Sequence, residues 1–228
     1  MSTRSTAQKA QQESIRDKKR ALYRTAVLDA AERVFGEEGY ESTKVQRIAA
    51  EAGVSLTTLY SVFESKWEIY RAIHRLRLTG VMAKASDITG RDLSSIDTLI
   101  AGVRMQLSFF MAHRDYLRMQ LKEVTAWSAI ELLRSPEQVQ ALGAGLQLFG
   151  DAFRRAIEDG YLIDDDPELM ARTSIASQQV RLAMWVDSGA ADDPEAITDA
   201  ALRHLLRSYC RIEHLADILD ANGLGEAA

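Results

Sequence analysis

The 228-residue chain is long enough to bury a real core, and its 46% hydrophobic and 27% charged residues are ordinary for a globular protein. A single cysteine, Cys210, excludes an internal disulfide framework and fits a reducing compartment. The polar start MSTRSTAQKAQQESIRDKKR lacks the apolar segment of a signal peptide, and no stretch approaches a membrane span, so a cytoplasmic protein without a membrane partner is expected. The net charge of −5 is unevenly spread. Residues 1–80 carry 14 basic and 10 acidic side chains (+4), against 14 and 23 (−9) in residues 81–228. A polyanion-binding head on an acidic body would show this pattern, as would chance solvation of two unequal faces.

The elements read as helices throughout. Ser135-Pro136, Asp166-Pro167 and Asp193-Pro194 each place an acceptor at N-cap and proline at N1, where its missing N–H costs nothing. Ser135 with Gln138, Thr43 with Gln46 and Ser65 with Glu68 have capping-box spacing. No alternating β-branched run appears, so an all-α fold is expected. Apolar spacing places helices at roughly 17–37, 44–51, 56–62, 66–84, 94–112, 115–133, 137–159, 167–187, 195–210 and 212–220, after about fifteen residues that read as disordered.

The most informative segment is TKVQRIAAEAGVSLTTLYSVF, residues 43–63. Val45, Ile48, Ala49 and Ala52 form one apolar stripe, and Gly53 supplies a tight or left-handed turn. Ser55 caps the next helix, where Val54 and Leu59 stand at the two positions of a hydrophobic staple. Two short helices about a glycine turn, the second with a polar outer face, describe a helix-turn-helix or a plain helical hairpin. In the first case Thr57, Thr58, Tyr60 and Ser61 meet the major groove of double-stranded DNA. Thr43, Lys44 and Lys66 stand at helix starts suited to phosphate, and Arg47 lies on an exposed side. Arg16, Lys18, Lys19, Arg20 and Arg24 form a basic run that suits either phosphate and minor-groove contact or a solvated helix start.

The succession Ala30-Ala31-Glu32-Arg33-Val34-Phe35, Gly39-Tyr40, Thr43, Ile48-Ala49, Ala52-Gly53-Val54-Ser55, Thr58-Leu59-Tyr60, Phe63, Ser65-Lys66 resembles the TetR (tetracycline repressor) family over roughly residues 20–75. The resemblance implies a three-helix DNA-binding head and a larger helical body that binds a small molecule and forms a homodimer. It also implies phosphate contacts from Thr43 and Lys66, and groove or backbone contacts from Thr57, Thr58, Tyr60 and Ser61. Leu56 and Val62 depart from the family's usual residues, which puts the contacts at those two places in doubt. The expected organisation is a flexible basic arm over 1–16, a DNA-binding domain over 17–64, and an effector-binding and dimerisation body over 65–228.

In the body, Met105, Phe110, Met119 and Trp127 belong to a Met- and aromatic-rich stretch that suits an adaptable apolar pocket or plain core. The segment ending Glu158-Asp159-Gly160-Tyr161-Leu162, then Asp166-Pro167, resembles the family's approach to its dimerisation helices. Ile175, Val180, Met184 and Leu205 are therefore candidate interface residues. No nucleophile elbow, zinc-protease motif or phosphate loop occurs, and Cys210 with His214 does not complete a metal site. The expected protein is not an enzyme and uses no cofactor or metal. It is a dimeric repressor released from its operator by a small hydrophobic ligand; the alternatives are a DNA-binding factor without inducer, or an activator.

Overall fold

The computed structural model describes residues 2–123 and 135–225. Ten helices occur among them: α1 (Ser2–Glu38), α2 (Val45–Glu51), α3 (Leu56–Val62), α4 (Lys66–Thr89), α5 (Ser95–Ala112), α6 (Arg114–Glu123), α7 (Pro136–Glu158), α8 (Pro167–Asp187), α9 (Pro194–Tyr209) and α10 (Ile212–Ala221). No strand occurs among the described residues, only an isolated antiparallel bridge between Leu162 and Cys210. The expected all-α fold is what forms. No described helix is long and apolar enough to cross a membrane.

The three prolines stand at the starts of α7, α8 and α9, capped by Ser135, Asp166 and Asp193. Ser135 and Gln138 close a complete capping box. At α4 the Ser65 side chain accepts from the Glu68 amide, but the Glu68 carboxylate reaches the Glu64 amide instead of that of Ser65. The Thr43 box does not form. Lys44 is the N-cap of α2 and makes no side-chain cap, while the Thr43 hydroxyl turns back to the Gly39 carbonyl at 2.7 Å.

The first helix starts earlier than its apolar pattern indicated. Among the described residues no separate coil precedes it; α1 is helical from Ser2, in a stretch that has no Pro or Gly to break it. Residues 14–22 are exposed, so this part lacks the tertiary contacts that periodicity reports. The rest of α1 is the spine of the head. Val27, Ala30, Ala31, Val34 and Phe35 are fully buried, facing Ile48 and Ala49 of α2, Leu59 and Val62 of α3, and Phe63.

The head and the body helices share α1. Gly36 lies where α1 crosses α6, and a Cβ there would stand 2.8 Å from the Asp115 carbonyl oxygen. Backbone cannot give way as a flexible side chain would. Gly36→Ala is expected to cost about 1–3 kcal/mol, the scale of overpacking in a tight contact, read as a lowered denaturant midpoint with unchanged m-value. Further up, the largely buried Glu32 carboxylate takes a two-pronged bond from Arg77 of α4, both contacts at 2.9 Å. The bridge between Leu162 and Cys210 pins the turn after α7 to the end of α9, reinforced by Ile163 N–H to the Tyr209 carbonyl at 2.9 Å.

Candidate functional site

Gly53, at φ +65°, makes the turn between α2 and α3, and Ser55 accepts from the Thr58 amide at 3.0 Å to start α3. Leu59, Val62 and Phe63 are drawn into the core by this register, which leaves Leu56, Thr57, Tyr60 and Ser61 outside. Tyr60 is half exposed, and Thr57 and Ser61 lie three residues before it and one after, on one face. The Thr58 hydroxyl shares a 2.9 Å bond with Ser55, and the Ser61 hydroxyl donates to the Thr58 carbonyl at 2.7 Å. Both hydroxyls keep acceptor capacity.

Two expected phosphate ligands stand elsewhere. Thr43 is only 2% exposed, its hydroxyl spent on Gly39. The Lys66 ammonium donates to the carbonyls of Tyr40 at 2.7 Å and Thr43 at 2.9 Å, and lies 4.4 Å from the centre of the Tyr40 ring. It ties the loop between α1 and α2 to the start of α4. Lys66→Met leaves those acceptors without their cation and is expected to lower the head's stability by about 1.5–3 kcal/mol. A thermal melt without DNA checks this; an unchanged melt would return Lys66 to the set of free surface cations. Lys44 is exposed, as expected for a phosphate ligand. Arg47 is exposed but held among Glu37, Glu38 and Glu51, its shortest contact 2.8 Å to Glu51. Hydrogen bonds from Arg47 and then Arg33 keep the Glu51 carboxyl below its usual range.

The second feature is a cavity of about 170 Å³ between α4, α5, α7 and α8. Its wall is almost wholly apolar: Val81 and Ile88 of α4, Met105 and Phe110 of α5, Leu142 and Phe149 of α7, and Ile175 of α8. Met105 and Phe110 are among its lining residues. Met119 is not; it is fully buried in core, because α6 turns that side toward α1 and α5. Trp127 lies outside the described residues. Gly145 also lines the cavity, and a Cβ added there would meet no atom within 4 Å. Glycine inside a helix is destabilising by roughly 0.5–1 kcal/mol relative to alanine, so Gly145 in the middle of α7 is the signal in the sequence for this space.

The cavity and the head are joined by a polar cluster. Gln138, at the cavity end, accepts from the Tyr70 hydroxyl at 3.2 Å and donates to Gln120 at 3.0 Å. Its neighbour Glu137 takes Arg71 at 2.7 Å and Arg75 at 3.1 Å, both on α4. The Arg71 guanidinium, with Arg75, brings the Glu137 carboxyl down to about 2. Tyr70 in turn meets Trp67, Tyr40 and Phe35 ring to ring, so an aromatic chain runs from this cluster into the head. None of Gln120, Gln138, Glu137 and Tyr70 stood out in the sequence as a site, because their meeting depends on α4, α6 and α7 packing together.

His74 is fully buried beside this cluster, bonded through Nδ1 to the Tyr116 hydroxyl at 3.0 Å, with no partner for Nε2. Burial pushes its pKa down to about 3. The folded state therefore holds His74 neutral while the unfolded chain takes up a proton below about 6.5. Its contribution to stability is present above that value and is lost as pH falls toward 3, with a slope of at most about 1.4 kcal/mol per pH unit. His74→Phe is expected to flatten the stability profile between pH 6 and 4; an unchanged slope in urea titrations would contradict this.

The expected dimer residues divide. Ile175 and Leu205 are 3% and 4% exposed in the single chain, Ile175 on the cavity wall and Leu205 in the core, so neither offers a surface. Val180 and Met184 are 59% and 67% exposed and, with Leu169 at 52%, stripe the outer side of α8. Cys210 is buried, its thiol pKa raised by burial, and His214 packs against Tyr161. No group of three His, Cys, Asp or Glu side chains suited to a metal occurs among the described residues.

Residues 27–73 match the family described as bacterial regulatory proteins, tetR family. Over these residues the chain is similar to the TetR family. The matched segment is the one that holds α2 and α3. The HTH-type transcriptional regulator YfiR of Bacillus subtilis is 28% identical over 59% of this chain and 63% of its own length. The HTH-type transcriptional activator FasR of Mycolicibacterium smegmatis is 33% identical over 42% of this chain and 35% of its own length. The match thus spans less than two thirds of either curated relative. Among solved TetR-like structures, the ketosteroid transcriptional regulator KstR2 of Mycobacterium tuberculosis superposes with a TM-score of 0.71 at 22% identity. That superposition covers 82% of this chain and 95% of KstR2, and shows the common fold.

Proposed function

We propose that this TetR-type protein is a homodimeric repressor whose hold on a near-palindromic operator is released by a small apolar ligand in the body. The observation that carries this reading is the apolar cavity whose wall shares α4 and α7 with the polar cluster leading to the head. We divide the chain into a head of α1–α3 and a body from α4 onward. The DNA face in this reading is Leu56, Thr57, Thr58, Tyr60 and Ser61 with Lys44, while Thr43 and Lys66 build the head from within.

The mechanism is a shift between two settings of the heads. A ligand that spreads α4 from α7 near Val81 and Leu142 loads the links from Glu137 and Gln138 to Arg71 and Tyr70. Through Lys66 and the aromatic chain, the start of α4 carries the head with it. A ligand that binds this setting better lowers DNA affinity by that difference and no more. KstR2 is named for ketosteroids, a class of apolar molecules, which agrees with an apolar ligand here. FasR is an activator, so the operator's position relative to its promoter decides the direction of control.

The test is selection of bound duplexes from a random pool, with wild type and with a Thr57→Ala/Tyr60→Ala variant. The expected result is a two-fold symmetric site with half-sites about 34–36 Å apart or a multiple of that, which the variant no longer enriches. Enrichment that the variant retains would remove α3 as the reading helix.

A further inference from the structure

The cavity is elongated. It touches α4 from Leu78 to Thr89, α5 from Thr98 to Phe110, and α7 from Gln138 to Arg155. At 1.5 Å per residue these spans are about 17, 18 and 25 Å, so the space is a tube along the helices rather than a chamber. Its two ends differ. Glu137 at the start of α7 pairs with Arg71 and Arg75 near the start of α4, so the two helices run in the same direction. Gln120, Gln138, Phe109 and Phe110 therefore close the end nearer the head, and all four are buried. Thr89, Thr98 and Arg155 stand at the far end, where Thr89 and Arg155 are exposed.

Arg155 is the one cation on the described wall, and it forms no ion pair among the described residues. Its Nε donates to the Asp151 carbonyl at 3.2 Å, while the Asp151 carboxylate is taken by the neighbouring Arg154. The guanidinium thus keeps donors for an incoming oxyanion, the geometry its planar fork suits. The closed end could not hold that charge. Gln138 is already bonded at both its amide atoms, and one neutral amide on Gln120 does not offset burial of an anion.

Resting on the ligand-release reading above, we infer that the effector is an unbranched amphiphile bearing an oxyanion, its chain in the tube and its charge on Arg155. The length of the lining suits an extended chain, and the mouth selects anions over alcohols. Calorimetry with dodecanoate, dodecyl phosphate and dodecanol, below their aggregation limits, tests it on wild type, Arg155→Gln and Gly145→Leu. In wild type at least one of the two anions binds about ten-fold or more tightly than the alcohol, the scale of a charge-assisted hydrogen bond. The dodecanoate and dodecyl phosphate arms separate a carboxylate from a phosphate head. In Arg155→Gln the preference collapses while dodecanol affinity stays unchanged, and Gly145→Leu takes up none of the three. Equal binding of alcohol and anions in wild type, or an equal loss of all three in Arg155→Gln, overturns the assignment. If none binds wild type, the straight-chain ligand is wrong. A fused-ring compound that binds wild type but not Gly145→Leu would then leave the apolar-ligand reading standing.

Discussion

A Val180→Glu/Met184→Glu protein is expected to be a monomer of about the 25.4 kDa chain mass by light scattering, and the wild type is expected to show twice that mass. Both side chains are more than half exposed on α8, and with Leu169 they follow one side of the helix through about four turns. The same helix buries Met170, Ser174, Ile175, Gln178, Leu182 and Trp185 on its inner side, so the charges would not disturb the core. Four glutamates facing one another across a two-fold axis repel and must be stripped of water. The consequence for DNA is larger than the consequence for stability. Two linked heads gain about 10²–10⁴-fold over one by effective concentration, so operator affinity should fall by a similar factor. The melting temperature measured at low protein concentration should change little. A variant that stays dimeric would move the interface off this stripe.

Gly145→Leu is expected to make the ligand-free protein more stable and to end its response to ligand. The backbone there is ordinary helix, and an added Cβ meets open space. Replacing a helix-interior glycine recovers about 1 kcal/mol of propensity, and the isobutyl group gains apolar contact with the cavity wall. For a chain of this size that corresponds to a rise of roughly 2–4 °C in melting temperature per kcal/mol. Ligand affinity should drop by at least ten-fold, because the leucine occupies the middle of the tube. A destabilised variant would show that the space is not free in solution. A stabilised variant that still responds would place the ligand elsewhere.

The two substitutions also show what was legible in the sequence. Caps and turns were, because Ser55, Asp166, Asp193 and Gly53 act on backbone within three residues of themselves. The outer face of α3 was legible for the same reason: once Leu59 and Phe63 are assigned inward, Thr57, Tyr60 and Ser61 have one place to go. The inward bonds of Lys66 and Thr43 are not legible in the sequence, because their partners, the Tyr40 and Gly39 carbonyls, are backbone atoms of a loop brought close by folding. In α8, apolar side chains occur all round the helix, so nothing in its pattern separates Ile175 on the cavity from Val180 on the surface. That separation arises only when α7 and α9 cover part of the circumference. Gly36 could not be interpreted from sequence at all, since its necessity comes from the Asp115 carbonyl of α6.

In the proposed mechanism, occupancy of the cavity sets DNA affinity. The most direct measurement is fluorescence anisotropy of a labelled, selected operator bound to wild type and Gly145→Leu in parallel, during titration with dodecanoate, dodecanol and a fused-ring steroid. At least one of these is expected to release wild type from DNA at concentrations that leave Gly145→Leu bound. A ligand that fills the wild-type cavity by calorimetry without changing operator affinity, or that releases both proteins alike, would contradict it.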